Sequence, residues 1–236
     1  MSKIRLVEIT GSTNSDLLAD PEAVEGDWLI ARIQQAGKGR QGRDWQTIDG
    51  NFLGSTLVKL TEYDPSPATL SLVAGLALAD AVETAAPDAS IQLKWPNDLM
   101  LDGGKLAGIL LERAGDRIVV GFGVNLAGAP EIEGRATAHL DSLMAPQAFA
   151  PLLAGSFARL LAAWRSADPA SLAMAWMQRA HKVGTPLSVH GGDGEKVEGR
   201  FAGLEEDGAL RLEKADGDIA IIRAGDVTLA SPAAEE

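Results

Sequence analysis

From Ala68 to Ala86 the chain is apolar nearly all round, with Pro65 and Pro67 before the run and Pro87 closing it. A helix without a polar face has no side to turn to water, so it must lie buried between layers. Its most apolar stretch, "LSLVAGLALADAV" from Leu70 to Val82, falls short of the roughly 20 residues that span a bilayer. A layered fold is required, and no membrane association is expected.

The covering layer reads as a sheet. Residues 91 to 128, "IQLKWPNDLMLDGGKLAGILLERAGDRIVVGFGVNLAG", give three or four strands with Asp102-Gly103 and Gly115-Asp116 as turns. "LAGILLE" is apolar on both alternating faces, which puts this region at the centre of the sheet. Further strands are expected at 3 to 9, 27 to 35 and 51 to 60. "GSTNSDLLAD" supplies Ser, Thr and Asn just before a helix that begins near Ser15, so the first loop ends at a helix N-terminus, suited to anions and polar groups. Leu153, Phe157, Leu160, Leu161 and Trp164 recur at helical spacing within an amphipathic helix, and a second helix is expected over 170 to 181.

After Gly184 the composition changes. Asp207-Gly208 and Asp216-Gly217 punctuate short β-type runs at 196 to 204, 209 to 214 and 218 to 223, which predicts a small all-β barrel over 184 to 230. The expected fold class is α+β: a mixed β-sheet flanked by helices over residues 1 to 182, then a small β barrel within 183 to 236, ending in a frayed tail, "ASPAAEE".

Lys and Arg number 21 against 33 Asp and Glu, a net of −12, and residues 183 to 236 hold 5 basic and 12 acidic residues, a net of −7. That balance opposes general affinity for nucleic acid, which needs a basic footprint. No cysteine is present, which excludes disulfides, thiolate metal sites and a cysteine nucleophile. His139, His181 and His190 are scattered, so neither a Ser-His-Asp triad nor a histidine metal site is expected. "MSKIRLVEIT" lacks the apolar core of a signal peptide, and a cytoplasmic location is the expectation.

Four segments carry candidate chemistry. In "QQAGKGRQGRDW", residues 34 to 45, Gly37, Gly39 and Gly42 alternate with Lys38, Arg40 and Arg43. That is either a pliable anion-binding loop or an ordinary solvated turn. It is not a P-loop, because no Lys-Ser/Thr pair opens a helix. In "LKWPNDLML", Lys94 ends a strand, and Asn97 and Asp98 project from the turn that follows, toward a ligand or only to close an Asx-turn. Lys105 enters an apolar strand, snorkelling to solvent or held against an anion, and Gly108 within that strand suggests a close approach. Asn125 in "GFGVNLAG" reads a polar group or terminates its strand. What remains is phosphate chemistry run by positioned cations and dipoles, such as adenylation.

Taken together and in order, "GSTN", "QQAGKGRQGRDW", "GNFLGSTL", "KWPNDLMLDGGKLAGILLE" and "GFGVNL" resemble the catalytic domain of the biotin protein ligases, which has the class II synthetase-like fold. The β-rich tail is similar to the SH3-like domain that ends those enzymes. The resemblance implies a ligase that joins biotin to ATP with Mg²⁺, releases pyrophosphate, and passes the biotinyl group from biotinyl-5'-AMP to a lysine of a biotin carboxyl carrier domain.

It also implies roles. Ser12, Thr13, Asn14 and Gln34 would read the ureido end of biotin, and the loop with Gly37, Lys38, Gly39 and Arg40 would fold over it, with Gly108 beneath. Lys105 and Arg40 would offset charge on the carboxylate and α-phosphate. Arg43, Trp45, Asn97, Lys105 and Asn125 would contact the nucleotide, while Asp98 would hold magnesium or orient the acceptor lysine.

Three departures qualify the likeness. Lys38 stands where arginine is usual, no winged helix-turn-helix precedes the first strand, and the last strand, "VTLASP", has no basic residue for nucleotide. The first two make a monofunctional ligase with a point charge in the loop the expectation. Sheet-edge association into a homodimer is compatible with the sequence, which does not fix it. The alternatives are a lipoate ligase and a non-catalytic nucleotide-binding module.

Overall fold

The computed structural model describes residues 3–140, 144–166, 168–191 and 196–229; the tail expected to fray lies outside them. A seven-stranded sheet is built from β1 (Ile4–Thr10), β2 (Trp28–Gln34), β3 (Phe52–Lys59), β4 (Ile91–Lys94), β5 (Asp98–Leu101), β6 (Gly104–Ala114) and β7 (Arg117–Val124) in the order β1-β2-β3-β7-β6-β5-β4. Only β1 and β2 pair in parallel, so the sheet is mixed. The region expected at the sheet's centre runs instead from the centre, β7, out to the edge, β4. Tight turns force this order, because each hairpin lays the next strand beside the last. At the β5–β6 turn Asp102 and Gly103 take φ of 48° and 81°, the left-handed geometry that an Asp-Gly pair tolerates.

The two faces of the sheet do different work. On one, Ile118, Val120, Phe122 and Val124 of β7 join the main core with α2 (Leu70–Ala85) and α3 (Pro146–Ser166). Trp28 stacks on Phe122 at 5.6 Å, and Phe157 of α3 meets both edge-on at 6.1 and 6.0 Å. The other face packs α1 (Thr13–Ala19) through Leu17, Leu29, Leu57 and Val119. With its leading turn the apolar helix spans Pro67–Ala85, 19 residues, within one residue at each end of the run read from sequence. It is the one helix among the described residues long and apolar enough to cross a membrane, and two-thirds of that window is buried inside the protein.

After α4 (Pro169–Met177), strands β8 (Pro186–His190), β9 (Lys196–Leu204), β10 (Leu210–Glu213), β11 (Ile219–Ile222) and β12 (Asp226–Leu229) form an antiparallel sheet ordered β11-β10-β9-β8-β12. Its buried Leu187, Phe201, Leu204, Leu210 and Val227 share one continuous core with α2 and the large sheet. Trp95, of "KWPND", donates from Nε1 to the Gly208 carbonyl at 3.0 Å, so the motif that faces the cavity also anchors the small domain.

Arg165, near the end of α3, ties that helix to two loops. It holds Glu25 bidentately at 2.7 and 2.8 Å and Asp64 at 3.0 Å. The Arg165 hydrogen bonds hold Glu25 below the usual carboxylate range. Burial pushes Asp64 up, but the Thr61 amide and Arg165 outweigh it and the net direction is down. Both carboxyls therefore stay charged in the fold at pH values where the unfolded chain binds protons. Their stabilisation is complete above the ordinary carboxylate range and lost as pH falls through the lowered native values. Arg165→Met is expected to cost about 1 to 2 kcal/mol near pH 7, with the gap to the native protein narrowing as the pH falls below the ordinary carboxylate range; urea unfolding at about pH 7 and about pH 3 measures it.

Candidate active site

The cavity, about 650 Å³, opens on the α1 face of the sheet. Its floor is β7 and β6, where Gly123 pairs with Gly108 and Gly121 with Leu110. A Cβ at Gly121 would collide with the Asn14 amide, and one at Gly123 with the Trp45 indole. A Cβ at Gly108 would meet the same indole at 2.9 Å. Glycine is needed here for room, and the bare strand lets side chains from other elements lie flat on the sheet.

At one end of the cavity the N-terminus of α1 delivers Ser12, Thr13 and Asn14, all less than 7% exposed. Ser12 is the N-cap and accepts from the Ser15 amide at 3.4 Å. The Thr13 amide donates to Gln34 Oε1 at 2.7 Å, and its hydroxyl lies 2.7 Å from Ser55 Oγ. Ser55 donates to Asn14 Oδ1 at 2.6 Å, and Asn14 Nδ2 donates to Glu112 at 2.8 Å.

At the other end charges gather. Lys105 Nζ sits 2.6 Å from Asp98 Oδ1, and Lys94 Nζ lies 3.5 Å from Asp98 Oδ2. The Lys105 ammonium also stands over the Trp45 ring at 5.7 Å. Of the two readings open for Lys105, the structure has it against an anion, and that anion is the protein's own. Asp98 is the first residue of β5 rather than part of the preceding turn, and neither Asn97 nor Asp98 closes an Asx-turn. Asn97 donates to the Ile109 carbonyl at 2.7 Å and accepts from Arg40 at 3.3 Å.

The basic loop is folded, not open. Its amides bond across it, Gly39 to the Arg43 carbonyl at 2.6 Å and Trp45 to the Gly37 carbonyl at 2.9 Å, with Gln41 and Gly42 at φ of 57° and 73°. Arg40 donates to the Gly225 carbonyl at 3.1 Å, and Arg43 reaches Asp226 at 2.7 Å. Burial pulls the Arg40 guanidinium below its ordinary value, against the opposing pull of Asp226 and Asp98. The last strand lacks a cation, as read from sequence, yet it supplies the carboxylate that ties down two loop arginines.

The expected site residues converge, with two qualifications. Gly37 packs behind the lining, where a Cβ would meet the Trp45 carbonyl at 3.1 Å. Asn125 faces the cavity but is engaged throughout, donating to the Ala138 carbonyl at 3.0 Å and accepting from Asn51 at 3.2 Å. Its amide fastens the end of β7 to the segment beside Lys105. Sequence reasoning missed Asn51, Ser55, Lys94, Glu112 and Asp226. Alternation along "GNFLGSTL" and "GILLE" could have placed Ser55 and Glu112 on the site face, whereas Asp226 had no local signal.

Residues 4–126 match the model of the "Biotin/lipoate A/B protein ligase family", and residues 188–229 match that of the "Biotin protein ligase C terminal domain". The chain is 40% identical over 219 residues to a biotin–[acetyl-CoA-carboxylase] ligase of Paracoccus denitrificans, covering 86% of this chain and 91% of that one. It is 38% identical over 237 aligned positions to a protein of the same name from Mycobacterium tuberculosis, covering 95% and 88%. In fold it is similar to a biotin protein ligase from Aquifex aeolicus solved with biotin and ATP, at a TM-score of 0.86 and 22% identity over 98% of this chain and 100% of that one. The class is that of the biotin- and lipoate-attaching ligases. Within it, this chain belongs to the biotin protein ligase family.

Asp226→Ala removes the carboxylate that holds the loop while leaving both cores intact. Limited trypsin digestion is expected to cut after Arg40 or Arg43 at least about tenfold faster, with the urea midpoint unchanged. Equal cleavage rates would mean that the loop's own amide bonds suffice to hold it.

Proposed function

We propose that the cavity activates biotin with ATP as biotinyl-5'-AMP, releasing pyrophosphate, and then transfers the biotinyl group to a lysine of a carrier protein. The observation that carries the reading is the joining of two unlike ends in one cavity: a neutral polar end at α1 and a cationic end at Lys105, Lys94 and Arg40. A ligand with a polar head and a carboxylate tail, lying between the two ends over the Asn14 amide and the Trp45 indole, matches both.

The first step brings a carboxylate oxygen to the α-phosphorus, and pyrophosphate leaves with the bonding pair. Two anions must meet, so cations are needed where negative charge builds up. Lys105 supplies one by turning from Asp98 to the ligand, and Arg40 supplies another from the loop. Asp98 is then left with Lys94 and one free oxygen. In the second step the acceptor amine attacks the acyl carbon and AMP departs with the electron pair of the broken bond; Asp98 orients that amine and takes its proton. Arg43, Trp45 and Asn97 contact the nucleotide, and the folded loop keeps water from the mixed anhydride.

Magnesium accompanies the nucleotide and needs few protein ligands of its own. Among the described residues no group of three Asp, Glu or His residues could enclose it, and Asp98, the carboxylate expected to hold it, is occupied by two lysines. The residues present do not fit a dedicated metal site. Residues 1 to 182 are taken as the catalytic unit and 183 to 236 as the C-terminal domain. The acceptor is the biotin carboxyl carrier domain of a carboxylase, and the enzyme works in the cytoplasm. The free edge of β1, where Ile4, Leu6 and Ile9 are 40 to 57% exposed, is the surface on which a homodimer would form.

Exchange of labelled pyrophosphate into ATP tests the first half-reaction. Biotin is expected to support it and lipoate not, and Lys105→Ala should lower the rate at least about a hundredfold. Exchange with lipoate alone would move the protein to the sister activity. Arg40→Ala is expected to release adenylate and label bystander lysines; tight retention of adenylate with unchanged acceptor choice would remove the loop from this role.

A further inference from the structure

Behind the cavity wall, a row of side chains runs from β6 to α1, and its proton directions can be counted. Glu112 accepts only, so the Asn14 side chain must turn its NH₂ toward it, at 2.8 Å, with a second contact to the Leu110 carbonyl at 3.3 Å. That leaves Asn14 Oδ1 facing Ser55 Oγ at 2.6 Å, where it takes the one proton Ser55 has. Ser55 is 0% exposed, so toward Thr13 Oγ1, 2.7 Å away, it can only accept. Thr13 has one proton and two oxygens within reach, Ser55 Oγ and Gln34 Oε1 at 3.0 Å. With that proton on Ser55, Thr13 Oγ1 and Gln34 Oε1 stand side by side as acceptors, and Gln34 cannot turn its amide because the Thr13 backbone N–H holds its oxygen at 2.7 Å.

We infer that Glu112 is a positioning residue for substrate recognition: through Asn14 and Ser55 it fixes the polarity of the row, so that the α1 end of the cavity presents acceptors and selects a ligand whose polar head donates N–H bonds. Removing the carboxylate leaves only the longer contact to the Leu110 carbonyl, at 3.3 Å, to orient the Asn14 amide, and a fraction of the molecules takes the flipped orientation. The Asn14 NH₂ then points at Ser55, the Ser55 proton turns to Thr13, and the Thr13 proton goes to Gln34 Oε1 at 3.0 Å, which uses up the acceptors that would have met a donor head group. Glu112 touches no ligand itself, because it lies behind Asn14. The inference rests on the biotin reading, since the ureido group of biotin carries the N–H donors.

The test measures kcat and KM for biotin in pyrophosphate exchange with the native enzyme, Glu112→Leu, Glu112→Gln and Ser55→Ala. A ureido N-methylated biotin, which lacks one donor, is run in parallel. Glu112→Leu is expected to raise KM about tenfold or more with kcat nearly unchanged, and to lose the native preference for biotin over the methylated analogue. Glu112→Gln keeps an acceptor oxygen for Asn14 and stays within about threefold of native. Ser55→Ala interrupts the row at another point and shifts KM in the same direction, which covers a poorly folding Glu112→Leu. Native KM and native analogue preference in both Glu112→Leu and Ser55→Ala would overturn the inference, as would a fall in kcat and thermal midpoint alone. A native enzyme with no biotin-dependent exchange would instead overturn the functional reading beneath it.

Discussion

The contacts at the floor of the cavity depend on β7 leaving one of its faces bare. The strand must fill the space against α2 and α3, and Ile118, Val120, Phe122 and Val124 do so. Two residues out of step with these, Gly121 and Gly123 present no side chain, and the Asn14 amide and the Trp45 indole occupy the room that results. A strand's period of two makes this division possible, and it also makes it brittle: a one-residue slip in register would bury glycine in the core and set phenylalanine on the cavity floor. The long β7 ladders with β3 and β6 hold the register from both sides.

Above that floor, the site holds its cations against the protein's own carboxylates. Asp98 pairs with both Lys105 and Lys94, and Asp226 with Arg43 and, at 3.8 Å, Arg40, so two carboxylates offset half of the charge of four cations. Leaving part-buried cations unpaired would cost several kcal/mol each, of the order assigned to buried ions. The pairing lowers that cost without placing the cations out of reach, because each partner carboxylate borders the same cavity. An arriving anion exchanges one carboxylate for another, so its net gain is smaller than the Coulomb attraction suggests. Selectivity between ligands then rests more heavily on the neutral end, where acceptor and donor positions are fixed.

Much of this was legible in the chain. The apolar run, the Asp-Gly turns and the alternation in "RIVVGFGV" fix the layers and the hairpins, since each follows from local chemistry. The convergence of Thr13, Gln34, Arg40, Asn97 and Lys105 was available only through their likeness to a known pattern of motifs, because these residues are up to 92 positions apart (13 to 105) and no spacing rule links them. What stayed hidden are side chains that act through others. Glu112 looks like the polar end of an amphipathic strand, and Ser55 like a small residue in an apolar one. Only their distances to Asn14 reveal that they form one row. The loop likewise reads as pliable from its glycines, while the structure has those glycines permitting a compact, internally bonded turn.

The acidity of the small domain acquires a specific meaning from the same geometry. A net of −7 over residues 183 to 236 opposes affinity for nucleic acid, and among the described residues most of those carboxylates are exposed. Asp226 is different because β12 is the edge strand that abuts the loop, whereas Trp95 holds the small domain at Gly208, in the turn between β9 and β10. The anchor for the domain therefore comes from "KWPND", one residue away from Lys94 and three from Asp98. Any shift of the small domain must pull on this motif and on the loop at once. Opening the loop and loosening the domain are thus mechanically linked, through two fastenings, Trp95 and Asp226, that both border the cavity.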